Sequence, residues 1–168
     1  SHGKGKRPSR RKSKAEPGLI GRVIIRNQVN ARGIDAGLIL KYQPGKQFLH
    51  TTWWNLAAQY GVRSNWIQIE LAGLLHLTKT TKITVRQKGG SASRGVLWLY
   101  VDGRELGAVG DDRTKDTTYT ITLNKGDHTV RWLLRGGHLG SNLITFHDAS
   151  TQQPLAIYYT PRMLAAAR

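Results

Sequence analysis

Two aromatic side chains, Trp98 and Tyr100, have the type and spacing to form a binding surface. They lie two residues apart in a β-branched and aromatic run from Val96 to Val101, so a strand places both on one face. Rings on an open face offer a platform on which a sugar ring or a base can stack. If a loop or the segment from Thr51 to Tyr60 covers them, they belong to the core instead, and the sequence leaves both arrangements open.

Three acidic residues lie close together further along the chain, at Asp111, Asp112 and Asp116. Calcium takes six to eight oxygen ligands from carboxylates and carbonyls, so the three could contribute to a calcium site. Arg113 and Lys115 lie between them and offset the negative field. The interpretation we favour is a solvated loop, and the sequence predicts neither a metal nor another cofactor.

The chain carries no catalytic signature. It has no cysteine, and its six histidines show no metal-binding spacing. No nucleophile elbow and no glycine-rich phosphate loop is present. Asp148 with Glu105 or Asp127 could in principle form the carboxylate pair of a glycosidase. Nothing in the sequence distinguishes these acids from ordinary residues of surface turns. We therefore expect a protein that is not an enzyme.

The first 16 residues carry a dense positive charge and nothing to bury. They hold seven of the 26 basic residues against one acid, and they contain no leucine, isoleucine, valine or aromatic residue. The sequence predicts a disordered tail over 1–16 and one domain over 17–168. The tail could contact the phosphates of nucleic acid, lie on an anionic membrane surface, or act as a linker. Its candidate contacts are Lys4, Lys6, Arg7, Arg10, Arg11, Lys12 and Lys14.

Period-two alternation, which places the apolar side chains on one face, predicts strands in several segments. It is clearest from Thr118 to Leu123, where threonines alternate with Tyr119, Ile121 and Leu123. Asp102-Gly103 predicts a two-residue type I′ hairpin turn, and Asn124 to Asp127 predicts a second turn. About nine strands follow, at 19–25, 38–42, 66–71, 82–86, 96–101, 118–123, 128–134, 142–146 and 155–159.

These patterns predict an all-β fold, a two-sheet antiparallel β-sandwich. Helical spacing competes only at 51–60, where we expect a short helix or turn. No run approaches the roughly 20 apolar residues of a membrane span. The side chains expected to point inward are Ile67, Ile69, Leu71, Ile83, Val85, Ile121, Leu123, Val130 and Trp132.

Four phrases within residues 66–135 carry a family resemblance: a strand ending in Ala72-Gly73-Leu74-Leu75, the strand 78–85, the Leu97-Trp98-Leu99-Tyr100-Val101-Asp102-Gly103 hairpin, and the hairpin from Leu123 to Trp132 with its Gly126 and His128. Through these phrases the segment resembles the protective-antigen-type domain. The resemblance implies a β-sandwich of exported and cell-surface proteins that binds carbohydrate. Many members have an acidic loop before the "V-D-G" strand, but this chain has Lys88-Gly89-Gly90-Ser91-Ala92-Ser93-Arg94-Gly95 there.

Taken together, these features predict a non-catalytic accessory domain that recognises a glycan or a protein outside the cell or at the cell envelope. Stacking on Trp98 and Tyr100 and hydrogen bonds from loop residues would hold the ligand, and the basic composition favours an acidic partner. The alternative is a nucleic-acid-binding module driven by charge. Steep salt dependence of binding would distinguish that alternative from stacking on a neutral sugar.

Overall fold

The computed structural model describes residues 14–26, 33–46, 67–88, 94–109, 116–138 and 143–166. Every described pair of neighbouring strands is antiparallel, and the predicted all-β sandwich is confirmed. The elements are β1 (Glu16–Pro17), β2 (Leu19–Arg26), β3 (Gly33–Tyr42), β4 (Ile67–Leu77), β5 (Thr81–Lys88), β6 (Arg94–Val101), β7 (Arg104–Val109), β8 (Asp116–Leu123), β9 (Gly126–His138), β10 (Leu143–Asp148), β11 (Ile157–Tyr159) and the helix α1 (Arg162–Ala166).

The strands form a large sheet of eight strands and a small sheet of three. In the large sheet β4 pairs with β9 along its whole length, and β9 pairs in turn with β6 and β6 with β7. The other edge of β4 pairs first with β2 and then with β11, while β3 lies outside β2 and β1 outside β11. In the small sheet β5 is central, between β10 and β8.

The core lies between the two sheets and is built as the alternation predicts. The predicted inward residues Ile69, Leu71, Ile83, Val85, Leu123, Val130 and Trp132 are buried, and Ile121 is partly buried against them. The side chain of Ile67 lies outside the described part of the chain. Because both sheets bury one face, a shift of any strand by one residue would expose its apolar set.

A cluster of polar contacts around Trp132 links the two sheets through the core. The Trp132 ring lies 5.2 Å from that of Tyr42, and its Nε1 donates to Oε1 of Gln87 over 2.6 Å. The Tyr42 hydroxyl accepts from the Ile144 amide over 3.1 Å, and burial raises the pKa of Tyr42 to about 12. Trp132 and Tyr42 belong to the large sheet and Gln87 and Ile144 to the small one, so the cluster fixes how the sheets face each other.

The predicted hairpin turn is confirmed by its backbone angles. Asp102 and Gly103 have φ values of 51° and 77°, the positive values that a type I′ turn requires at both central residues. The turn joins β6 to β7 directly. In the second turn Gly126 has φ 127°, which agrees with the predicted reversal between β8 and β9.

The predicted strands are present, and most of them are longer than predicted. Two strands were missed. β7 contains a register shift opposite Leu99 and Tyr100, which breaks its alternation, and β1 has only two residues. Helix α1 was also missed. The helix or turn expected at 51–60 lies outside the described residues.

The described sheet begins one residue before the predicted domain boundary. Glu16 lies in β1 opposite Tyr159, accepts a hydrogen bond from its hydroxyl, and lies 3.6 Å from the Lys41 ammonium. These contacts hold Glu16 against the domain rather than in the tail. Residues 1–13, with most of the predicted basic contacts, lie outside the described residues, so the tail stays a prediction.

Candidate functional site

Trp98 and Tyr100 lie on the face of β6 that points away from the core. Leu97, Leu99 and Val101 alternate with them and are buried between the sheets. The two aromatic side chains are half-buried and do not belong to the core cluster. The aliphatic face therefore points inward, which is the arrangement that a platform needs.

Strand register surrounds the two rings with side chains from β9 and β4. Leu133 of β9 lies opposite Trp98 on one side and opposite Glu70 of β4 on the other. Arg131 of β9 lies opposite Tyr100. These five residues, Trp98, Tyr100, Leu133, Arg131 and Glu70, form what we call the aromatic face.

Arg131 connects the aromatic and acidic parts of this face. Its guanidinium carbon lies 5.7 Å from the centre of the Tyr100 ring, and Nη2 lies 3.9 Å from Oε2 of Glu70. The other Glu70 oxygen accepts a 2.6 Å hydrogen bond from Nε2 of Gln68. A cation over an aromatic ring at a partly exposed site contributes about 0.5–1 kcal/mol. The contacts therefore orient Arg131 without saturating its five N–H donors.

The arrangement suits a ligand that is apolar on one side and polar at its rim. An aromatic ring packs against the apolar face of such a ligand, while a guanidinium donates and a carboxylate accepts hydrogen bonds. The aromatic face presents all three groups on rigid strands. Arg131 and Glu70 were not among the predicted site residues, because only the pairing of β4 with β9 brings them together.

Solved structures with the same fold identify the architecture. The "PA14 sugar-binding domain from RTX adhesin" matches with a TM-score of 0.62 at 15% identity, covering 86% of this chain and 98% of that one. The PA14 domain of the MpAFP antifreeze protein matches with a TM-score of 0.57 at 11% identity, covering 89% of each chain. The chain has a PA14-like fold. The protective-antigen-type resemblance of the sequence is thus confirmed at the level of the fold.

The same fold also occurs within a much larger enzyme. A β-glucosidase from Kluyveromyces marxianus matches with a TM-score of 0.55 at 14% identity, over 79% of this chain but only 16% of the enzyme. Neither a protein-family model nor a curated protein sequence matches the chain. At these identities the likeness concerns the fold alone.

Of the three acidic residues that were candidates for calcium, Asp116 lies in the described part of the PA14-like fold. Asp116 begins β8 and accepts a 2.6 Å hydrogen bond from Nη2 of Arg86, so its charge already has a partner. Asp111 and Asp112 lie outside the described residues. Among the residues that the structure describes, no three His, Asp or Glu side chains form a group that could hold a metal ion.

Two of the acids considered for catalysis have structural partners. Oδ1 of Asp148 accepts from the backbone amides of Ser150 and Thr151 and holds the turn after β10. Asp127 lies 2.6 Å from the ring of His76.

Over the described ranges, no helix has the length and apolar character to cross a membrane.

His128, which is partly exposed, connects two hairpins through contacts that the sequence did not predict. Its Nδ1 lies 2.6 Å from Oδ2 of Asp102, and its Nε2 lies 2.6 Å from the carbonyl oxygen of Asn124. The other Asp102 oxygen accepts from the Thr129 amide. A carboxylate and a carbonyl can only accept, so both ring nitrogens donate when both bonds form, and the ring is then a cation.

The surroundings of His128 favour that cation. Partial burial lowers the pKa of His128, but the hydrogen bonds to Asp102 and Asn124 and the negative charges of Asp102 and Asp127 together raise the pKa above its usual value. The folded state therefore binds this proton more tightly than the unfolded chain. The resulting stabilisation is complete below the unfolded pKa of about 6.5 and is lost as pH rises through the folded-state pKa.

We expect His128→Ala to lower the free energy of unfolding by about 2 kcal/mol at pH 5.5, the usual range for charge-assisted hydrogen bonds. The difference from the unchanged protein should shrink as pH rises to 9. Urea unfolding followed by circular dichroism across this pH range measures both values. His76→Ala is the matched control, because its carboxylate pair is also 2.6 Å long but 59% and 62% exposed, and should cost under about 1 kcal/mol. Equal, pH-independent losses in the two variants would contradict the assignment.

Proposed function

We propose that this chain is a non-catalytic accessory domain that binds a glycan on its aromatic face. The observation that carries the proposal is the outward placement of Trp98 and Tyr100 beside Arg131 and Glu70. The rings would stack on the apolar side of a sugar, and the charged pair would bind its hydroxyl groups. A fold shared with a sugar-binding domain of an adhesin supports this choice of ligand.

The accessory role and the location belong to the same proposal. A PA14-like region making up 16% of a β-glucosidase supports the role of a domain attached to other activities. The adhesin neighbour supports a place at the cell surface or outside the cell. A protein partner on the same face remains the second possibility within this class. The alternative of a nucleic-acid-binding module receives no support from these similarities.

Trp98→Ala tests the proposal against a ligand found on a glycan array. We expect the affinity for the strongest neutral glycan on the array to fall by about 5- to 150-fold, which corresponds to about 1–3 kcal/mol for one stacking surface. Trp98→Phe keeps an aromatic ring and should retain most of the affinity. Isothermal titration calorimetry gives both values, and the melting temperature of each variant is measured beside them.

Two results would contradict the glycan platform. If Trp98→Ala loses about 3–5 kcal/mol of stability, Trp98 acts as a core residue, since that is the cost of truncating a buried tryptophan. If the variant folds normally and binds every ligand of the unchanged protein with equal affinity, the site is elsewhere. Affinity for a neutral glycan should also change little between 50 and 200 mM salt, whereas phosphate binding falls by orders of magnitude.

A further inference from the structure

The outer face of the small sheet is basic and rich in threonine. Its central strand β5 turns Lys82, Thr84, Arg86 and Lys88 away from the core, since the residues between them are buried. On β8 the exposed positions alternate in the same way. Pairing places His147 and Thr120 on either side of Thr84, and Thr145 and Thr118 on either side of Arg86. We call this the basic face: Lys82, Thr84, Arg86, Lys88, Asp116, Thr118, Thr120, Thr122, Thr145 and His147.

The positive charge on this face is only partly balanced. Asp116 is its one acidic residue. It lies opposite Lys88 in the strand register, and its carboxylate pairs with Arg86. Lys82 and Lys88 are exposed and form no ion pair in the described part of the chain. At about 3.3 Å per residue they lie roughly 20 Å apart along one strand. The face therefore carries two unpaired cations in a line, with hydroxyl groups on both sides.

We propose that the basic face binds an acidic polysaccharide, a linear chain of sugars bearing carboxylate or sulfate groups. The ammonium groups of Lys82 and Lys88 pair with anionic groups along the chain, and the threonine hydroxyls donate to and accept from sugar hydroxyls. The inference deepens the proposed glycan-binding function and rests on it for the class of ligand. It concerns a second surface, on the opposite sheet from the aromatic face.

The composition of the face favours a polysaccharide over a nucleic acid. Proteins that bind single-stranded nucleic acids combine cations with aromatic side chains on which bases stack. Tryptophan, tyrosine and phenylalanine are absent from the basic face as defined above. Hydroxyl groups, which match the rim of a sugar, take their place.

The test uses the full chain and two double variants that remove the same charge. Lys82→Gln/Lys88→Gln removes the unpaired cations of the basic face. Lys79→Gln/Lys125→Gln removes two exposed lysines from the turns before β5 and after β8, so it is the matched control. The probes are polygalacturonate for carboxylates, heparin for sulfates, dextran as a neutral polymer, and a 20-nucleotide oligothymidylate. Because all four lysines are exposed, the melting temperatures of both variants should stay near that of the unchanged protein.

At 50 mM salt we expect Lys82→Gln/Lys88→Gln to weaken binding to polygalacturonate or heparin at least tenfold, and the control to weaken it less than threefold. The slope of log affinity against log salt should fall by about 1–2 in the first variant only, because fewer counterions are released. Dextran binding should be the same in all three proteins. The more affected of the two acidic probes identifies the anionic group.

Three outcomes would overturn the proposal: no binding to either acidic polymer, equal losses in the two double variants, or tighter lysine-dependent binding to oligothymidylate. The last would assign the face to nucleic acid. Trp98→Ala in the same assays separates this proposal from the first. If Trp98→Ala binds neutral glycans with unchanged affinity, the proposed function of the aromatic face is wrong. The proposal for the basic face is decided separately, by the binding of the lysine variants to the acidic polymers.

Discussion

Gly21→Ala is expected to destabilise the fold more than any other single substitution considered for this chain. Gly21 lies in β2 between Leu40 of β3 and Leu71 of β4. A Cβ atom at this position would overlap the backbone carbonyl of Glu70. Backbone cannot rotate away as a side chain can, so β2 must leave β4. We expect a loss above about 4 kcal/mol, against a total of about 5–15 kcal/mol for a typical domain.

Far-UV circular dichroism and urea unfolding of the purified variant measure this effect. Gly103→Ala is the control, because a Cβ atom there meets nothing within 4 Å and only the φ of 77° is unfavourable. That strain costs about 1–2 kcal/mol. A Gly21→Ala protein as stable as Gly103→Ala would show that β2 does not approach β4 as closely as described.

Trp132→Phe has the second largest expected effect, because it removes both volume and a buried hydrogen bond. Nε1 of Trp132 donates to Oε1 of Gln87, and the Gln87 side chain is fully buried. Nε2 of Gln87 has no hydrogen-bond partner. After the substitution neither end of that amide has one, at a cost of about 1–3 kcal/mol beyond the lost packing. We expect a total of about 3–4 kcal/mol in urea unfolding.

Adding Gln87→Leu to Trp132→Phe should restore part of the loss. The second change removes the amide whose polar atoms the first change leaves without partners, and leucine is apolar and shorter than glutamine. We expect the double variant to be about 1–2 kcal/mol more stable than Trp132→Phe alone. Gln87→Leu alone should be destabilising, because it leaves the Trp132 N–H buried and unpaired. A double variant less stable than either single one would show that Gln87 has a further role.

The sequence predicted the strands in which polar and apolar residues alternate without interruption. β8 alternates threonine with apolar residues without interruption, and its predicted end at Leu123 is the observed one. The Asp102-Gly103 turn was predictable because few residue pairs tolerate two successive positive φ values. β7 was not predicted, because Leu99 pairs with Gly107 and Tyr100 with Glu105, which leaves Leu106 as an extra residue in the strand. A bulge of this kind interrupts the period of two on which strand prediction depends.

The candidate site was predictable only where a single strand determines it. Alternation within β6 was enough to place Trp98 and Tyr100 on one face and the aliphatic residues on the other. Arg131 and Glu70 are 61 positions apart in sequence, and only the register of β4 on β9 brings them together. His128 and Asp102 are 26 positions apart, and the pairing of β6 with β9 brings them together. Asp102 and His128 both belong to the phrases that carry the family resemblance, and this shared membership is the signal in the sequence that could have indicated their contact.

The pairing of β1 with β11 brings the first and last described strands of the sandwich together. Glu16 lies opposite Tyr159 and Pro17 opposite Tyr158, on one edge of the large sheet. The polypeptide therefore enters the first described strand and leaves the last one at neighbouring points. A domain with that geometry can be inserted into a surface loop of a host protein without separating the two ends of that loop. Engineered insertion into a tolerant loop would exploit the same property, and the inserted sandwich should keep the melting temperature that it has on its own.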